Sequence, residues 1–374
     1  MTRRPQRIAY LLQMADLTTE NGIAKKIRDQ VVAWQQEGST VRIFSLAPTL
    51  NRWIGFEGFD LVLLRRGGPV TRMWHSRELC RQIRAWNPEV IYFRYAYHSP
   101  GLPALFRRIP TVAEVNSDDT TEYALTLGLG KRLYHKLTRS RLLRTIAGFV
   151  PVTRELAVRL AKFEKPVAVI GNGIALAEFC PVPASNSSGA HRLVFVGSAG
   201  SPWHGLERIR ELAGLFPEYC IDIIGCTAAD LREAVGPSAP SPQADNLVFH
   251  GNLDRIHYEP LLAAATAALG TFGLYRKSMD EACPLKVREY LALGLPVIGA
   301  CLDTDIPENA DYYLRLPNSS ESLQPHAAAI AAFLERWRGR RVPRASIAHL
   351  DSKLKENERL KFMGRISNRQ EEFP

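Results

Sequence analysis

The 374-residue sequence contains no long run of apolar residues and no closely spaced pair of cysteines. The first absence predicts a chain without a membrane-spanning helix, which needs about 20 consecutive apolar residues. The 6 cysteines are scattered without a C-x-x-C motif, so we expect reduced thiols and no zinc site. Hydrophobic residues make up 46% of the chain and charged residues 23%, which excludes global disorder and a disulfide-stapled miniprotein.

The N-terminal stretch shares only its basic start with a signal peptide. The apolar run from Ile8 to Leu12 is too short for the hydrophobic core of such a peptide, and Asp16 and Glu20 follow soon after it. We therefore interpret the run as the first strand of a cytoplasmic protein.

Acidic residues are scarce in the first half of the chain. Residues 1–170 contain 27 Lys and Arg against 14 Asp and Glu, a balance of +13. Residues 171–374 contain 21 against 24, a balance of −3, which predicts one basic and one nearly neutral domain. A basic domain favours an anionic partner, and composition alone leaves open a membrane surface, a phosphorylated acceptor or nucleic acid.

Short β-rich runs alternate with longer helical patterns along the whole chain. Because the strand runs are continuously apolar, they predict parallel sheets covered by helices on both faces. A stretch at 171–190 rich in Gly, Pro, Ser and Asn indicates an exposed linker. It separates a predicted domain at 1–170 from one at 191–350, with a final helix at 351–374. Ligands in such sheets lie at the carboxyl ends of strands, so we expect a site in the cleft between the domains.

Two further elements are predicted close to the ends of these domains. Val167–Ile170 is expected to close the first domain as a strand, because it is short, apolar and rich in β-branched residues. The segment Ser320–Trp337 is expected to form a single helix near the end of the second domain.

The segment 279–299 carries the most informative spacing, two glutamates separated by seven residues. A helix that begins with Pro284 places Glu281 in the loop before it and Glu289 about one and a half turns inside it. A carboxylate in the position of Glu289 is a good acceptor for the two hydroxyls of a ribose.

The first turn of this helix predicts an anion site, because backbone N–H groups without acceptors point out of a helix N-terminus. Lys286 adds a positive charge there. The N–H groups that we expect to converge belong to Ala282, Cys283, Leu285 and Lys286.

The E-x7-E spacing, followed by E-Y-L-A-x-G-L-P-V-I, resembles the donor-site signature of retaining GT-B glycosyltransferases of family 4. Val169–Ile174 resembles the turn that links the two domains of that family, and Val194–Leu206 resembles its Y-V-G-R…K-G-L segment. His250–Leu253 resembles the F-x-G turn beside the base, and the stretch from Asp16 to Gly22 resembles the first glycine loop. The resemblance implies two Rossmann-like, doubly wound α/β domains that face across a cleft, with the final helix crossing back to the first.

The resemblance also implies roles for residues of the donor site. Glu281 would lie against the sugar hydroxyls, Glu289 would hold the ribose, and Gly251 would border the base. Backbone amides around Gly22 and 282–285 would bind the diphosphate, with helix N-termini supplying positive dipoles without a metal. The family has no obvious protein nucleophile, so a donor phosphate oxygen would deprotonate the acceptor. No metal and no separate cofactor are expected.

Two positions in the predicted donor site depart from the family pattern. The family's Arg and Lys after the second glycine loop fall on Ser198 and His204, which removes permanent charge near the diphosphate. A protonated His204 is one candidate for the missing charge. The other candidates are Lys286, Arg276 and Lys277.

Two polar residues follow strands of the first domain. Asn116 replaces the family's histidine in the segment Glu114-Val-Asn-Ser-Asp-Asp119. Arg94 ends a strand run and is expected to face the site, a salt-bridged surface arginine being an equally good interpretation.

Two basic clusters lie in the first domain, one over 65–84 and one over 131–144. In the second cluster, Leu133, Leu137 and Ile146 are expected to face inward, and Arg132, Lys136, Arg139 and Arg144 outward. The clusters fit either a solvated face or a peripheral membrane site for a lipid-linked acceptor. We do not expect nucleic-acid binding, because Trp74 and Trp86 occur at core spacing and no nucleic-acid motif is present.

These features predict a retaining glycosyltransferase that moves a sugar from a UDP-sugar or GDP-sugar to a glycan, a lipid-linked acceptor or a small molecule. The habit of the family suggests surface polysaccharide or glycolipid synthesis on the cytosolic face of a membrane. Two alternatives remain open, because a fold does not fix a function. One is a nucleotide-sugar 2-epimerase, which needs no acceptor, and the other is a non-catalytic protein that binds a nucleotide-sugar without turnover.

Overall fold

The computed structural model describes residues 3–13, 22–47, 53, 55–183, 191–236 and 245–371. The chain forms two compact units, the first of Met1–Gly173 with Ser352–Pro374 and the second of Ile174–Asp351. Each unit contains a six-stranded sheet in which all neighbouring strands are parallel. The predicted α/β class with two doubly wound sheets is therefore confirmed.

The first unit has strand order β3-β2-β1-β4-β5-β6. Its order reverses between β1 and β4, as in a dinucleotide-binding fold. The strands are β1 (Arg7–Gln13), β2 (Thr40–Ala47), β3 (Leu61–Arg65), β4 (Val90–Arg94), β5 (Thr111–Val115) and β6 (Gly148–Pro151). The helices are α1 (Gly22–Gln36), α2 (Pro69–Trp86), α3 (Leu102–Phe106), α4 (Asp119–Thr126), α5 (Leu129–Leu143) and α6 (Arg154–Leu160).

The second unit repeats this order as β12-β11-β10-β7-β8-β9, with the reversal between β7 and β10. Its strands are β7 (His191–Val196), β8 (Tyr219–Ile224), β9 (Leu247–Gly251), β10 (Ala267–Leu269), β11 (Val297–Gly299) and β12 (Tyr313–Arg315). Its helices are α7 (Leu206–Leu215), α8 (Ala228–Val235), α9 (Arg255–Ala264), α10 (Leu285–Ala292) and α11 (Ala327–Trp337).

The last helix, α12 (Ser352–Glu371), belongs to the first unit. It contributes Leu360, Phe362, Met363 and Ile366 to the core of that unit. None of the described helices has the length and apolar character that a bilayer crossing requires.

Buried polar contacts reinforce the attachment of α12. The side chain of Arg359 is fully buried and donates to Glu356 and to the carbonyl oxygens of Ile170 and Gly171, at 2.6, 3.1 and 2.9 Å. Trp34 of α1 donates its indole N–H to Glu356 at 3.0 Å. The end of the chain is thereby tied both to α1 and to the last residues before the second unit.

Three predicted segments differ from the structure. Val167–Ile170 is not a regular strand, although it runs beside β6. Val167 forms an isolated bridge with Phe149, and the N–H groups of Ala168 and Ile170 donate to the carbonyls of Phe149 and Pro151 at 3.0 and 3.1 Å. The helix predicted over 320–337 begins at Ala327, because Pro325 before it has no N–H and restricts its neighbour. The exposed linker predicted at 171–190 is also wrong for its first part, because four apolar residues there are buried in the core of the second unit. Residues 184–190 lie outside the described chain. The buried residues are Ile174, Leu176, Phe179 and Val182.

The orientation predicted for α5 is wrong at three residues, whereas Arg132, Lys136 and Arg144 are exposed as predicted. Leu133 and Leu137 are exposed, whereas the side chain of Arg139 is mostly buried and pairs with Asp119. The buried face of the helix contains His135, Leu142 and Leu143 instead. Trp74 on α2, which core spacing placed inside, is 63% exposed.

Replacing Arg359 by Met should destabilise the first unit by about 3–5 kcal/mol, because it leaves the buried Glu356 carboxylate without its partner. Urea unfolding followed by tryptophan fluorescence measures this change. The exposed Lys361 on the same helix provides the control, and Lys361→Met should alter stability by less than about 0.5 kcal/mol. Equal stability of the two variants would show that α12 is held by its apolar contacts alone.

Candidate functional site

The loops after β7 and β8 meet at the carboxyl edge of the second sheet, beside the point where the strand order reverses. Gly225 follows β8 with a φ of +80°, and a Cβ atom there would overlap the carbonyl oxygen of Gly197 after β7. The N–H of Gly225 donates to the carbonyl of Gly251, the last residue of β9, at 2.6 Å. Gly251 thus lies at this edge, where ligands bind in open α/β sheets.

Helix α10 begins one residue later than predicted. Pro284 has extended backbone angles and occupies the N-cap, and the first helical residue is Leu285. The backbone N–H groups of Leu285 and Lys286 lie in the first turn, where a helix provides no acceptor. The N–H of Ala282 does not join them, because it donates to the carbonyl of Leu302 at 3.0 Å. Fewer than the four predicted amides are therefore available to bind an anion.

Glu281 lies on a segment that is held from two sides. It forms an isolated parallel bridge with Leu302, whose N–H donates to the carbonyl of Asp280 at 2.9 Å. Asn318 donates to the carbonyl of Met279 and to the Asp280 carboxylate, each at 2.8 Å. These contacts fix the backbone that carries Glu281. No sequence pattern pointed to Asn318.

Glu289 projects from α10 and accepts a hydrogen bond from the hydroxyl of Tyr258 on α9 at 2.9 Å. The carboxylate is partly exposed, so its position is set by a neighbour while a surface remains for a ligand. Tyr258 is a second residue of this site that the sequence did not identify.

Arg288, on the buried side of α10, joins the segment before the helix to the segment after β11. Its fully buried guanidinium donates to Cys283 Sγ at 2.8 Å, to both oxygens of Asp303 at 2.7 and 2.8 Å, and to Asp305 at 3.1 Å. Burial opposes the charge, but Asp303 outweighs it and raises the pKa of Arg288. The three acceptor residues lie close enough to hold a metal ion, within 4.8 Å of one another, yet Arg288 already supplies a positive charge to all three.

His204 and Lys286 meet beneath the loop after β7. The N–H of Ser198 donates to His204 Nε2 at 3.1 Å, and Lys286 Nζ lies 3.5 Å from His204 Nδ1. Lys286 Nζ also lies 3.9 Å from the centroid of the Phe195 ring. Burial, and then the charge of Lys286, keep the pKa of His204 well below its ordinary value. The hypothesis that a protonated His204 supplies the missing charge is therefore contradicted.

The two other candidate cations upstream have their own partners. Arg276 pairs with Glu207 at 2.9 Å and donates to the carbonyl of Pro202 at 2.7 Å. Lys277 is buried, with its Nζ 4.2 Å from the centroid of the Trp203 ring. Of the candidates for the missing charge, Lys286 is the one on the first turn of α10.

In the first unit, Arg94 and Asn116 are joined through two residues that the sequence did not identify. Lys26 of α1 forms an ion pair with the fully buried Glu114 of β5 and donates to Asn116 Oδ1 at 3.0 Å. Arg94 Nη1 lies 3.6 Å from Glu114. Burial lowers the pKa of Lys26 to about 8, while Lys26 and Arg94 overcome burial to hold the pKa of Glu114 well below its ordinary value.

The predicted glycine loop of the first unit is described only at its end. Gly22 is exposed and begins α1, and residues 14–21 lie outside the described chain. The predicted residues thus fall into two sets. Arg94, Asn116 and Gly22 are in the first unit, while the second unit holds the remainder, of which Ser198, His204 and Lys286 are in direct contact. The second set also contains Gly251, Glu281, Ala282, Cys283, Pro284, Leu285 and Glu289.

Asp119, the first residue of α4, is contacted by three side chains of the first unit. It accepts from Tyr95 at 2.6 Å and from two nitrogens of Arg139 at 2.7 and 2.9 Å, and His135 Nε2 lies 2.7 Å from it. Burial alone would raise the pKa of Asp119, but the hydrogen bonds from His135 and Arg139 lower it to about 2. This network anchors α5 to the loop after β5.

Comparison with known proteins adds a family match for the first unit and the fold of the chain. The glycosyl transferase 4-like domain family matches residues 21–173. No curated protein matches the chain. Among solved structures, the chain is similar to the apo lipopolysaccharide outer core galactosyltransferase WaaB, at a TM-score of 0.65 and 10% identity, over 98% of this chain and 99% of that one.

Two solved structures with bound ligands are also similar to the chain. HepE from Anabaena, in complex with UDP and glucose, has a TM-score of 0.66 and 13% identity over 96% of this chain and 100% of its own. The pneumococcal O-GlcNAc transferase GtfA, in complex with UDP and GlcNAc, has a TM-score of 0.62 and 11% identity over 99% and 98%. The shared fold is that of GT-B glycosyltransferases.

Replacing Asp119 by Asn should lower the free energy of unfolding at pH 7 by about 2 kcal/mol, because the folded carboxylate has a pKa about two units below the usual value. A carboxyl group whose pKa is lower in the folded than in the unfolded protein stabilises the fold at pH values above its unfolded pKa. This contribution is lost as the pH falls from about 4 to about 2, so the two proteins should converge in that window. Urea unfolding at pH 7, 4 and 2.5 measures the difference, and a gap that does not narrow would contradict the assignment.

Proposed function

Because the chain is a GT4-like glycosyltransferase with the GT-B fold, we propose that it transfers a sugar from a nucleotide-sugar to an acceptor with retention of configuration. The observation that carries this proposal is the start of α10. There Lys286, two first-turn amides and the Glu289 carboxylate lie within two turns of one helix. A diphosphate fits the helix N-terminus, and a ribose diol fits the carboxylate.

A UDP-sugar is the donor that we infer, with a GDP-sugar as the alternative. Two structural relatives, HepE and GtfA, were solved with UDP and a sugar bound, which supports uridine. Gly251 at the end of β9 would border the base, and Tyr258 would hold Glu289 for the ribose. No metal and no other cofactor are required in this proposal, since amides and Lys286 supply positive charge to the diphosphate.

The proposed reaction breaks the bond between the anomeric carbon and the diphosphate oxygen. The acceptor oxygen forms the new bond on the same face, and its proton passes to an oxygen of the leaving diphosphate. Glu281 would contact the sugar hydroxyls from the segment bridged to Leu302. The α10 N-terminus would stabilise the charge that develops on the diphosphate. Arg94 and Asn116 would act in the first unit. Glu114 already positions Arg94, and Lys26 already positions Asn116.

We further propose that the first unit attaches to the cytoplasmic surface of an anionic membrane, where it would meet a lipid-linked acceptor for surface polysaccharide or glycolipid synthesis. Three leucines of α5, spaced by four residues, are exposed: Leu129 by 80%, Leu133 by 59% and Leu137 by 72%. Exposed basic residues flank this leucine stripe, and they are Lys131, Arg132, Lys136 and Arg141. Apolar side chains with basic neighbours on one helix are typical of an in-plane membrane contact.

The donor site is tested by calorimetric titration of UDP, GDP and their sugar conjugates into the wild type, Glu289→Ala and Tyr258→Phe. UDP should bind the wild type and lose at least about tenfold in affinity with Glu289→Ala, since hydrogen bonds to a charged acceptor contribute about 1.5–3 kcal/mol. Tyr258→Phe should cost less, because it loosens the carboxylate without removing it. The exposed Glu233 of α8 gives the control Glu233→Ala, which should bind like the wild type.

Turnover decides between the proposal and its alternatives. NMR of the product in an acceptor-dependent reaction should show the anomeric configuration of the donor. Sugar-nucleotide interconversion without acceptor would identify an epimerase, and tight binding without turnover would identify a non-catalytic protein. Failure of every nucleotide to bind would contradict the donor-site assignment itself.

Membrane attachment is tested by co-sedimentation with vesicles of phosphatidylcholine alone or with added phosphatidylglycerol. The wild type should bind the anionic vesicles at low salt, and the double variant Leu133→Gln/Leu137→Gln should bind at least about tenfold more weakly, since each buried leucine contributes about 1.5–3 kcal/mol. Ile256 of α9 is 77% exposed in the second unit, so Ile256→Gln is a matched control. Unchanged binding of the double variant would contradict the assignment, and its conversion of a dimer into a monomer would make the stripe a self-association surface.

A further inference from the structure

We propose that Lys286 is the counter-cation of the donor diphosphate and that it acquires its proton when the diphosphate binds. This inference rests on the donor site proposed above and adds a property to it, a proton taken up from solvent with each nucleotide. The argument depends on the hydrogen bonds of His204, on the surroundings of Lys286 and on its position in α10.

The hydrogen bonds of His204 determine which of its nitrogens carries the proton. Ser198 donates its backbone N–H to Nε2, so Nε2 must present a lone pair. In the neutral ring the proton then resides on Nδ1, the atom that lies 3.5 Å from Lys286 Nζ. An ammonium group has no lone pair with which to accept this N–H, whereas a neutral amine does. The contact between His204 and Lys286 is therefore favourable only with a neutral lysine.

The surroundings of Lys286 also favour the neutral form in the absence of a ligand. Loss of solvent contact is the main influence on its pKa and favours the neutral form. The titratable groups that act on it are the thiols of Cys226, after β8, and Cys301, after β11, which work in the opposite direction, and the neighbouring Lys277 acts on its partner His204. Within the described part of the chain, none of these is a carboxylate. Burial lowers the pKa of Lys286 to about 7, so that a small change in its surroundings moves the proton.

The position of Lys286 in α10 points in the same direction. It is the second residue of the helix, where the partial positive charge of the N-terminus repels a cation and attracts an anion. The face of the Phe195 ring, 3.9 Å from Nζ, offers a modest attraction to an ammonium group. The neutral and charged forms are thus close in free energy, and an anion at the helix N-terminus would decide between them.

A bound diphosphate would raise the pKa of Lys286 by direct attraction. The proton that Lys286 gains comes from solvent, and it restores in the complex the positive charge that Ser198 and His204 do not provide. Sequence resemblance places an arginine and a lysine, both permanently charged, at those two positions. In this chain the cation would instead be Lys286 of α10, next to His204, and it would be charged only in the presence of the ligand.

The test is calorimetric titration of UDP between pH 7.5 and 9 in two buffers that differ in ionisation enthalpy, HEPES and Tris. The phosphate of UDP, with a pKa of about 6, is already ionised in this range, so that its own titration does not contribute. We expect uptake that approaches one proton per UDP. Affinity should fall by up to about tenfold per pH unit between the free and bound pKa values of Lys286.

Three variants locate the proton. Lys286→Arg carries a permanent charge, so it should bind UDP without proton uptake and with an affinity that is flat across this range. Lys286→Met should bind weakly at every pH. Residues 174–351 contain only one other lysine, Lys277, so Lys277→Met is the matched control and should retain the uptake. Circular dichroism of all three variants checks that each is folded.

A second measurement follows Lys286 directly, first without and then with nucleotide. In protein labelled with ¹³C-lysine, one side-chain signal that is absent from Lys286→Arg should titrate near pH 7, and its midpoint should move upward when UDP is added. A midpoint near the ordinary lysine value of about 10.4 would overturn the proposal.

The calorimetric outcomes separate this proposal from the donor site. UDP binding without proton uptake, or uptake that persists in Lys286→Arg, would overturn the proposal and leave the donor site standing. Loss of uptake in Lys277→Met alone would assign the proton to Lys277 and also overturn it. If neither UDP nor GDP binds at any pH, the proposal and the donor site fail together.

Discussion

The guanidinium of Arg288 is the contact on which the geometry of the proposed donor site depends. It leaves α10 on the buried side and donates to Cys283, just before the helix, and to Asp303 and Asp305, beyond β11. A fully buried cation must find such acceptors, so the segments that supply them have little freedom to move. The loop with Glu281 therefore reaches the helix N-terminus in one defined position. The more exposed residues of the site are thus held in place by a fully buried one.

Most of the fold could be predicted because parallel sheets leave a local signature. Strands such as Val90–Arg94 and Thr111–Val115 are buried on both faces, so they appear as continuous apolar runs with the same ends as in the structure. The orientation of α5 could not be predicted, because the helix has apolar residues on two sides. Which side is buried depends on Asp119, a residue outside the helix whose contact with Arg139 turns that arginine inward. Leu133 and Leu137 are then left on the surface.

The site was predictable only where its residues lie close together in the sequence. The E-x7-E spacing located Glu281 and Glu289, but their supports come from distant segments. Tyr258 and Asn318 are ordinary polar residues in the sequence, and only the tertiary structure brings them to the two glutamates. For the same reason the pairing of the 280–282 segment with Leu302, which removes one amide from the anion site, has no local signal. A motif specifies the groups that a site needs, whereas long-range contacts decide which of them are available.

The donor site must also solve an electrostatic problem that the sequence poses at positions 198 and 204. A permanently charged lysine that is half-buried without an anion is costly, and it is costlier still at a helix N-terminus. Placing Lys286 against the Nδ1–H of His204 lowers this cost, because a neutral amine can accept from the ring that Ser198 has already oriented. The ligand's own negative charge can then stabilise the ammonium form. Loss of two cations from one loop is thus compatible with diphosphate binding, provided that the compensating charge comes from a residue whose protonation the diphosphate itself controls.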